Sequence, residues 1–393
     1  MRSNILIVGG GIAGLTSAIA LSRMGAEVTV VEKRTEWNLD GAGIMLQSNA
    51  LAILDALGLG DAIRSSGCVL PGVELRDQKG RILLGAASSK LGEIVSIHRG
   101  KLHQVLLNSC AGVTLKLGVQ IQSLETQEND YVTVAFKDGF TCDYDLVLGA
   151  DGLHSQIRDF ILGKESTKQF RYSDQVCWRL VVPNIYKQQN ALEMWGVEKR
   201  VGLIPLADNL LYMFLVKSDP QFDFTLRQEL PLRPEEFANF SLHTEDLLKY
   251  AVQTEQKILF NALGDLPLEW GSQNVILIGD AAHAMTPNMG QGAAMAFEDV
   301  AALVESYRVS GKGQLINGIS RCRTKRVNLF RERSYSFGRL AHAQNGMVRA
   351  IRNGIIKMTP ANIAARSLEG LYKPGIQAGI KLGQALKPAS SIV

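Results

Sequence analysis

The chain has 393 residues, of which 46% are hydrophobic, 20% are charged and 7% are aromatic. This balance excludes a disordered or collagen-like chain, and the length allows two or three domains with buried cores. The net charge of +4 is unevenly distributed. Residues 321–393 hold 14 Lys and Arg against two acidic residues, a net charge of +12, whereas the rest of the chain holds 28 against 36, a net charge of −8.

The cysteines, five in number and without a CxxC pair, argue against a disulfide framework and against a zinc site. No metal is therefore predicted. The apolar run at residues 5–21 is interrupted by four glycines and is followed by charged residues instead of a cleavage site. Since no other apolar run is long enough to span a membrane, we expect a cytoplasmic protein.

The chain opens with the pattern of a strand, a helix and a second strand. Residues 4–8 are a continuous apolar run, which is typical of a strand buried on both faces. Residues 12–24 carry apolar side chains at helical spacing, and residues 27–32 form a second apolar run. These three segments predict a βαβ unit.

A glycine-rich turn, Gly9-x-Gly11-x-x-Gly14, connects the first strand to the helix. Gly9 permits a tight turn, Gly11 lets a pyrophosphate approach the backbone, and Gly14 lets the helix pack close to the strand. The N–H groups at the start of the helix favour phosphates. Glu32, at the end of the second strand, is placed to accept a hydrogen bond from a ribose hydroxyl. The motif predicts FAD or NAD and disfavours NADP, whose phosphate Glu32 would repel.

The middle of the chain alternates between helical and strand patterns. Further helices are expected at 49–59, 99–109 and 234–250, a hairpin at 69–84, antiparallel strands within 119–140, and buried strands at 145–150 and 275–279. Residues 172–260 read as short alternating strands, apart from the helix near their end. The pattern predicts a parallel-sheet domain interrupted by a mostly antiparallel one.

Two more motifs follow buried strands. Gly279-Asp280-Ala281-Ala282-His283 continues to Pro287 and to the turn Gly290-Gln291-Gly292, and Asp151-Gly152-x-x-Ser155-x-x-Arg158 follows the strand at 145–150. Asp280 can hold sugar or ribityl hydroxyls or can simply cap a helix. The glycine turn offers N–H groups to an electron-rich ring edge. Asp151 and Ser155 could merely cap the helix that follows them, and His283 is expected to hydrogen-bond the loop.

Together the three motifs resemble those of the class A, single-component FAD-dependent aromatic hydroxylases. ILIVGGGIAGL with Glu32 resembles the FAD fingerprint of that family, GADGLHSQIR its DG motif and GDAAHAMTPNMGQG its GD motif, in family order and spacing. The likeness covers residues 4–335 and is strongest to the branch that contains salicylate and 6-hydroxynicotinate hydroxylases.

The resemblance implies an α/β fold, in which a glutathione-reductase-like FAD-binding Rossmann domain is interleaved with a β-sheet substrate domain and followed by C-terminal helices. The FAD-binding domain would comprise residues 1–70, 99–172 and 271–335. The substrate domain would comprise 71–98 and 173–270, and 336–393 would form a basic helical tail.

The resemblance also implies the cofactor site. Asp280 would hold the ribityl chain and Glu32 the adenosine ribose. The full set of residues implied to contact FAD is Gly9, Gly11, Ile12, Ala13, Gly14, Glu32, Lys33, Arg34, Gly43, Ile44, Arg99, Asp151, Gly152, Arg158, Gly279, Asp280, Pro287, Gly290, Gln291, Gly292 and Ala293. Arg99 and Arg158 would lie near the flavin or the DG-motif helix. The sequence contains one GxGxxG, so NADH or NADPH would bind transiently in the cleft of the FAD domain.

The implied activity is NAD(P)H-consuming monooxygenation, in which O₂ adds to the reduced flavin and the resulting C4a-hydroperoxide hydroxylates a small aromatic or N-heteroaromatic substrate. Pro287 and Asn288 would lie at the reacting centre. The candidates for substrate contact are Met45, Gln47, Arg179, Trp195, Met213 and Asn288, each of which could equally be ordinary core or surface. Arg179 could bind a substrate carboxylate or pair with an acid.

Two other functions stay open. One is an epoxidase or related flavin oxygenase acting on an apolar, membrane-associated substrate, which the basic tail and the apolar candidates favour. The other is a non-catalytic flavoprotein that serves as a redox sensor. The basic tail could fold back on the acidic remainder of the chain or make weak contact with a membrane surface. No nucleic-acid motif is present, so no nucleic-acid partner is predicted, and a monomer or homodimer is typical of the resemblance.

Overall fold

The continuous and the alternating apolar runs of the sequence form two different kinds of sheet. The computed structural model describes residues 3–127, 131–163, 169–226, 228–310 and 312–387. In chain order its strands are β1 (Asn4–Val8), β2 (Glu27–Glu32), β3 (Gly43–Leu46), β4 (Cys68–Val69), β5 (Gly72–Asp77), β6 (Ile82–Ala87), β7 (Val95–His98), β8 (Thr114–Leu117), β9 (Ile121–Thr126), β10 (Val132–Phe136), β11 (Thr141–Tyr144), β12 (Leu146–Gly149), β13 (Arg171–Pro183), β14 (Ala191–Trp195), β15 (Lys199–Leu206), β16 (Leu210–Ser218), β17 (Leu259–Asp265), β18 (Gly271–Ser272) and β19 (Val275–Leu277).

The helices cover these sheets and make up most of the C-terminal quarter. They are α1 (Ile12–Arg23), α2 (Ser48–Ala56), α3 (Gly60–Ser66), α4 (Ser88–Leu91), α5 (Arg99–Asn108), α6 (Gln156–Leu162), α7 (Thr244–Gln253), α8 (Asp280–His283), α9 (Gly292–Ser310), α10 (Leu315–Ala341), α11 (Gly346–Met358) and α12 (Ala361–Ala385). None of these helices combines the length and the apolarity needed to cross a bilayer.

The first sheet has six strands in the order β18-β19-β12-β1-β2-β8, and all but β18 run parallel. Its central strands β1 and β12 are almost completely buried, as their unbroken apolar sequences predict. The core around them also includes side chains of the small antiparallel sheet formed by β9, β10 and β11. The predicted βαβ start is confirmed. Since β1, β12 and β19 are neighbours and parallel, the turns that follow them meet at one edge of the sheet.

The second large sheet has seven strands in the order β17-β13-β16-β15-β14-β5-β6 and is antiparallel except between β14 and β5. Its strands are longer than expected, since β13 runs over 13 residues. Side chains alternate between two faces. One face packs into a core that includes Trp178, Met213 and Phe237. The opposite face, called the site face below, carries Arg179, Arg200, Tyr212 and Phe214, which the strand register places on the same side.

The C-terminal helices fold back on the body of the protein, as one of the two predicted alternatives for the basic tail requires. Helix α12 packs lengthwise on α2 and also contacts α9. Two glycines make this approach close: a Cβ on Gly375 would lie 2.2 Å from Oε1 of Glu298, and a Cβ on Gly379 would lie 2.5 Å from the carbonyl oxygen of Ala52. The end of the predicted tail, 388–393, lies outside the described residues.

Candidate active site

The three sequence motifs meet at the carboxyl edge of the six-stranded sheet. Gly9 follows β1, Gly152 follows β12 and Gly279 follows β19, and all three have positive φ angles, of 109°, 80° and 59°. A Cβ on Gly9 would lie 2.5 Å from the carbonyl oxygen of Ala150, so glycine is needed where the first two turns touch. The structure therefore brings the three motifs together around one cleft.

The first motif leaves space for a phosphate. Helix α1 begins after Gly11 with no side-chain cap and no acidic residue in its first turn, so its N–H groups are available to an anion. A Cβ on Gly11 would meet no atom within 4 Å, whereas one on Gly14 would lie 1.9 Å from the carbonyl oxygen of Gly9. Gly11 thus faces open space and Gly14 packs against β1. This arrangement fits the pyrophosphate of FAD.

Glu32 is held at the end of β2 by two backbone donors. Its carboxylate accepts hydrogen bonds from the N–H groups of Gly10 and Arg34, each at 3.0 Å. The carboxylate is therefore oriented beside the glycine turn, and its remaining lone pairs can accept hydrogen bonds from ribose hydroxyls. Lys33 and Arg34 continue the chain past this edge, but their side chains are exposed.

The turn that carries Asp280 is fixed by buried charges. Oδ2 of Asp299 accepts a hydrogen bond from the N–H of Gly279 at 3.1 Å and lies 2.6 Å from Nε2 of His283. Nε of Arg323 donates to Oδ1 of the same carboxylate at 2.9 Å. Burial alone would raise the pKa of Asp299, but the charges of His283 and Arg323 hold that pKa below its usual value. His283 therefore supports the loop, and Asp280 is presented, exposed, at the cleft.

The DG motif forms a helix cap and a clamp. The Asp151 carboxylate accepts two backbone N–H groups at the start of α6 and the Ser155 hydroxyl at 2.5 Å. Buried Arg158 donates to the carbonyl oxygens of Ala281 and Ala282, both at 3.1 Å. Asp151 and Ser155 thus cap α6, and Arg158 ties that helix to α8, one of the two placements expected for it.

Several other predicted cofactor residues lie on segments that contact one another. A Cβ on Gly279 would lie 3.0 Å from Cβ of Ala13, so the start of α1 touches the GD motif, with Ile12 beside it. Gly43 pairs with His98 across β3 and β7, which places Gly43 and Ile44 next to Arg99 at the start of α5.

Gln47 does not stand free at the substrate side, as a direct substrate contact would require. It is buried, and its Oε1 accepts a hydrogen bond from Nε2 of Gln291 at 3.0 Å. Gln291 in turn accepts one from Nδ2 of Asn49 at 2.9 Å. This chain of amides fastens the turn Gly290–Gly292 to β3 and α2, so Gln47 acts through the position of that turn.

A charged network that the sequence analysis missed connects the site face to the loop after α8. Arg200 is only 2% exposed. Its guanidinium donates to Nε2 of His342 at 2.9 Å, to Oε1 of Glu193 at 2.9 Å and to Oδ1 of Asn288 at 2.6 Å. Nδ2 of Asn288 donates to the carbonyl oxygen of Ser334 at 2.8 Å. Asn288 and neighbouring Pro287 are thus held in place by β15 and α10.

The alternation of β15 could have revealed Arg200. Val201 and Leu203 pack in the core of the sheet, so Arg200, Gly202 and Ile204 must point to the opposite face. Ile204, on the same face as Arg200, is a buried apolar residue. A charged side chain that alternates in phase with buried apolar residues indicates a buried polar network. No comparable local signal identifies His342, because it lies in the C-terminal segment, 142 residues from Arg200.

His342 is neutral. Its pKa is lowered to about 2 by burial and by the charges of Arg200 and Arg352. Because Nε2 accepts the Arg200 hydrogen bond, the ring proton is on Nδ1, which lies 2.8 Å from Oγ of Ser218 and donates to it. The ring therefore orients the Arg200 guanidinium without adding a positive charge.

This neutrality predicts a pH dependence of stability that is specific to His342. The unfolded chain binds a proton at this histidine below its ordinary pKa of 6.5, and the folded chain does not, so stability is present above that pH and is lost as the pH falls. Between about pH 7.5 and about pH 5 the histidine accounts for about 2 kcal/mol of lost stability, which His342→Gln should remove. Urea unfolding of the wild type and of His342→Gln at both pH values measures this loss of stability. Exposed His243→Gln should keep the wild-type loss, and an unchanged loss in His342→Gln would contradict a neutral His342.

The apolar part of the site face lies against β3 and α12. Tyr212 and Met45 belong to one cluster, to which Phe214 and Leu368 also contribute. A Cβ on Gly43 would lie 2.5 Å from the Tyr212 ring, and one on Gly202 would lie 1.9 Å from the Phe214 ring. Both rings therefore pack directly against glycine backbone, where a larger side chain would not fit.

Two predicted substrate residues occupy other places. Met213 points into the core on the far side of the sheet from Tyr212, because side chains alternate along β16, so its prediction as a substrate contact is wrong. Trp195 is on the site face, but it is buried beneath the C-terminal helices: its ring lies 4.9 Å from the Arg352 guanidinium and 5.1 Å from the Phe337 ring. Trp195 therefore packs beside the hydrogen-bond network of Arg200 instead of facing open space.

Arg179 faces the same side as Tyr212. One of its Nη atoms donates to Oδ1 of Asn261, and its buried Nε has no hydrogen-bond partner. Among the described residues no acidic side chain pairs with it. The alternative of an ion pair on the strand therefore finds no support, and a donor is available to a ligand oxygen.

Comparison with known proteins decides the family. A family model described as an FAD binding domain matches residues 2–327. The chain belongs to this family. It is 32% identical over 384 residues to a 2-heptyl-3-hydroxy-4(1H)-quinolone synthase of Pseudomonas aeruginosa, covering 95% of this chain and 98% of that protein. It is 27% identical over 327 residues to a 6-hydroxynicotinate 3-monooxygenase of Bordetella bronchiseptica, covering 79% and 84%.

The fold is shared with solved structures. Klebsiella pneumoniae HpxO in complex with FAD and uric acid superposes with a TM-score of 0.81 at 23% identity, covering 95% of this chain and 97% of that one. The predictions of an α/β fold with a Rossmann-type FAD domain, of FAD as cofactor, and of a flavoprotein monooxygenase in the aromatic hydroxylase family are confirmed.

Proposed function

We propose that the protein hydroxylates an electron-rich heteroaromatic ring that carries an apolar chain, with O₂ and with NADH or NADPH as reductant. Bound FAD supplies the redox and oxygen-transfer chemistry. The observation that carries the proposal is the composition of the site face, where unpaired guanidinium N–H and an apolar cluster lie side by side. Arg179 supplies the unpaired N–H, and the apolar cluster includes Tyr212, Phe214 and Met45.

The polar part suits the ring of such a substrate. Nε of Arg179 can donate to an oxygen on the ring, and its positive charge favours the deprotonated form of that oxygen. Burial raises the pKa of Tyr212, so its phenol stays neutral beside the Arg179 guanidinium. A ring oxygen held as an anion enriches the ring in electrons, which is what oxygen transfer to a ring carbon requires.

The apolar part suits a hydrocarbon chain. Tyr212, Phe214, Met45 and Leu368 offer ring and aliphatic surface and leave water little to bind, so a chain placed there is desolvated. The relative from Pseudomonas aeruginosa has a heptyl-substituted quinolone in its name, which joins a heteroaromatic ring to such a chain. Small polar acids such as salicylate would leave this surface uncovered.

The experiment compares ring compounds that differ only in chain length. Purified FAD-loaded protein is mixed with NADH or NADPH and with quinolones bearing methyl, butyl or heptyl chains, and with salicylate and 6-hydroxynicotinate as polar comparisons. We expect KM to fall about fourfold per buried methylene, and ¹⁸O from labelled O₂ to appear in the product. Phe214→Ala should raise KM for the heptyl compound about tenfold and leave the methyl compound unchanged. Exposed Tyr186→Ala is the matched control.

Several outcomes would reject the proposal. Equal KM values for methyl and heptyl compounds, or a polar acid as the best substrate, would exclude a chain-binding surface. An oxygenated product formed only from isolated alkenes would indicate the epoxidase alternative. NADH and NADPH oxidation that no aromatic compound accelerates would exclude hydroxylation of this class.

A further inference from the structure

Helix α11 presents an apolar stripe to solvent. Met347, Val348, Ile351, Ile355 and Met358 recur at helical spacing on one side of this helix, and all are exposed, Met347 by 73% and Met358 by 83%. Single exposed apolar residues are normal on a protein surface, but five on one side of a short helix form a contiguous apolar patch, which marks an interaction site. The stripe is the apolar half of an amphipathic helix with no partner among the described residues.

The underside of α11 keeps this stripe pointing outward. Arg352 is buried, donates to the carbonyl oxygens of Leu340 and Ala341 at 3.0 and 2.9 Å, and lies over the Trp195 ring. The side chain of Asn345 caps the helix by accepting the N–H groups of residues 347 and 348. The helix is therefore formed and anchored before any partner arrives.

The chain segment that carries the stripe has charges of one sign. Residues 333–368 contain six Lys and Arg and no Asp or Glu. Arg339, Lys357 and Arg366 are exposed, and Arg349 is half-buried. A second copy of the chain meeting this face about a two-fold axis would bring two identical basic rims together, which opposes self-association. An anionic surface with an apolar interior complements both the rim and the stripe.

We propose that α11 docks on anionic lipid bilayers, with its apolar stripe in the interface and its basic rim on the headgroups. The helix that follows α11 contacts the site face. Helix α12, which is separated from α11 by two residues, places Ala365 and Leu368 in the apolar cluster with Tyr212. Docking at α11 thus brings that cluster close to the bilayer in which an apolar substrate would accumulate. The proposal goes beyond the proposed function and does not depend on it.

Vesicle flotation of the FAD-loaded full chain tests the docking without turnover. We expect binding to vesicles of phosphatidylglycerol and phosphatidylcholine, little binding to phosphatidylcholine alone, and release from the anionic vesicles by salt. Lys357→Glu with Arg366→Glu should weaken the partition coefficient at least tenfold, since each basic residue contributes about fivefold. Ile351→Asn with Ile355→Asn should weaken it by at least as much. Val309→Asn, which changes an exposed apolar residue of α9, is the control.

Circular dichroism and flavin content confirm that each variant is folded, and sedimentation velocity follows its oligomeric state. Failure to bind anionic vesicles, equal binding to neutral vesicles, or full binding by either double variant would overturn the proposal. A dimer that Ile351→Asn with Ile355→Asn converts to a monomer would assign the stripe to a second copy instead.

Discussion

Replacing Arg323 with leucine is expected to lower the free energy of unfolding by about 3–5 kcal/mol and to remove most of the bound FAD. Arg323 is buried between two buried carboxylates: it donates to Oδ1 of Asp299 at 2.9 Å and to Oε2 of Glu298 at 2.5 Å. Without Arg323, the two buried carboxylates keep only Arg326 and His283 as charged partners, and losing one partner of a buried ion network is the costly case. FAD is lost because Asp299 also holds the N–H of Gly279, at the turn that presents Asp280.

The effect of Arg323→Leu should depend on pH. Burial alone would raise the pKa values of Glu298 and Asp299, but neighbouring positive charges hold both below their ordinary values of 4.5 and 3.8. For carboxyls with lowered pKa, the stabilisation is present above those ordinary values and is lost as the pH falls below them. The difference between wild type and variant should therefore be largest near neutral pH and shrink in acid.

Urea unfolding followed by tryptophan fluorescence, with the flavin content of each preparation, checks both parts. Arg321→Leu is the matched control, because Arg321 is exposed on the same helix and its replacement should change stability by less than about 0.5 kcal/mol. A variant at Arg323 that kept its FAD and its stability would show that the GD turn does not depend on α10.

Asp280→Ala is expected to lose FAD while the protein stays folded. Asp280 is exposed at the start of α8, and among the described residues no hydrogen bond or ion pair holds its carboxylate. Alanine there should therefore change the free energy of unfolding by less than about 0.5 kcal/mol. Losing a charged acceptor for ribityl hydroxyls should weaken FAD binding by roughly 100-fold.

Titration of deflavinated protein with FAD, followed by quenching of flavin fluorescence, measures this change. Asp61→Ala, at an exposed aspartate of α3, should bind FAD like the wild type. Asp280→Asn retains an acceptor oxygen, so its affinity for FAD should lie between that of Asp280→Ala and that of the wild type. If Asp280→Ala purified with a full complement of flavin, the ribityl site would have to lie elsewhere.

The two variants separate local from tertiary contributions to one site. The role predicted for Asp280 depends on its own position at the end of a buried strand, and that position could be predicted from the apolar run and the glycine before it. Arg323 acts through a carboxylate on another helix, and nothing in the sequence around Arg323 indicates that it supports the cofactor turn.

Local sequence patterns were enough to predict the parallel sheet, the three turns at its carboxyl edge and the class of cofactor. Each depends on residues that are neighbours in the chain, since the spacing of Gly9, Gly11 and Gly14 sets one turn and one helix start. Parallel strands then bring such turns to the same edge whatever the rest of the chain does.

Which side chains lie on the site face, and which partners they meet, depends on tertiary packing. Arg200 meets His342 across 142 residues, and Gly375 of α12 meets Glu298 of α9. Met213 and Tyr212 are adjacent in sequence yet point to opposite faces, so a candidate can be wrong by a single residue. Periodicity reports only that a side chain is buried, whereas the partner it meets depends on how distant elements pack, and that packing is set by the shapes of all of them together.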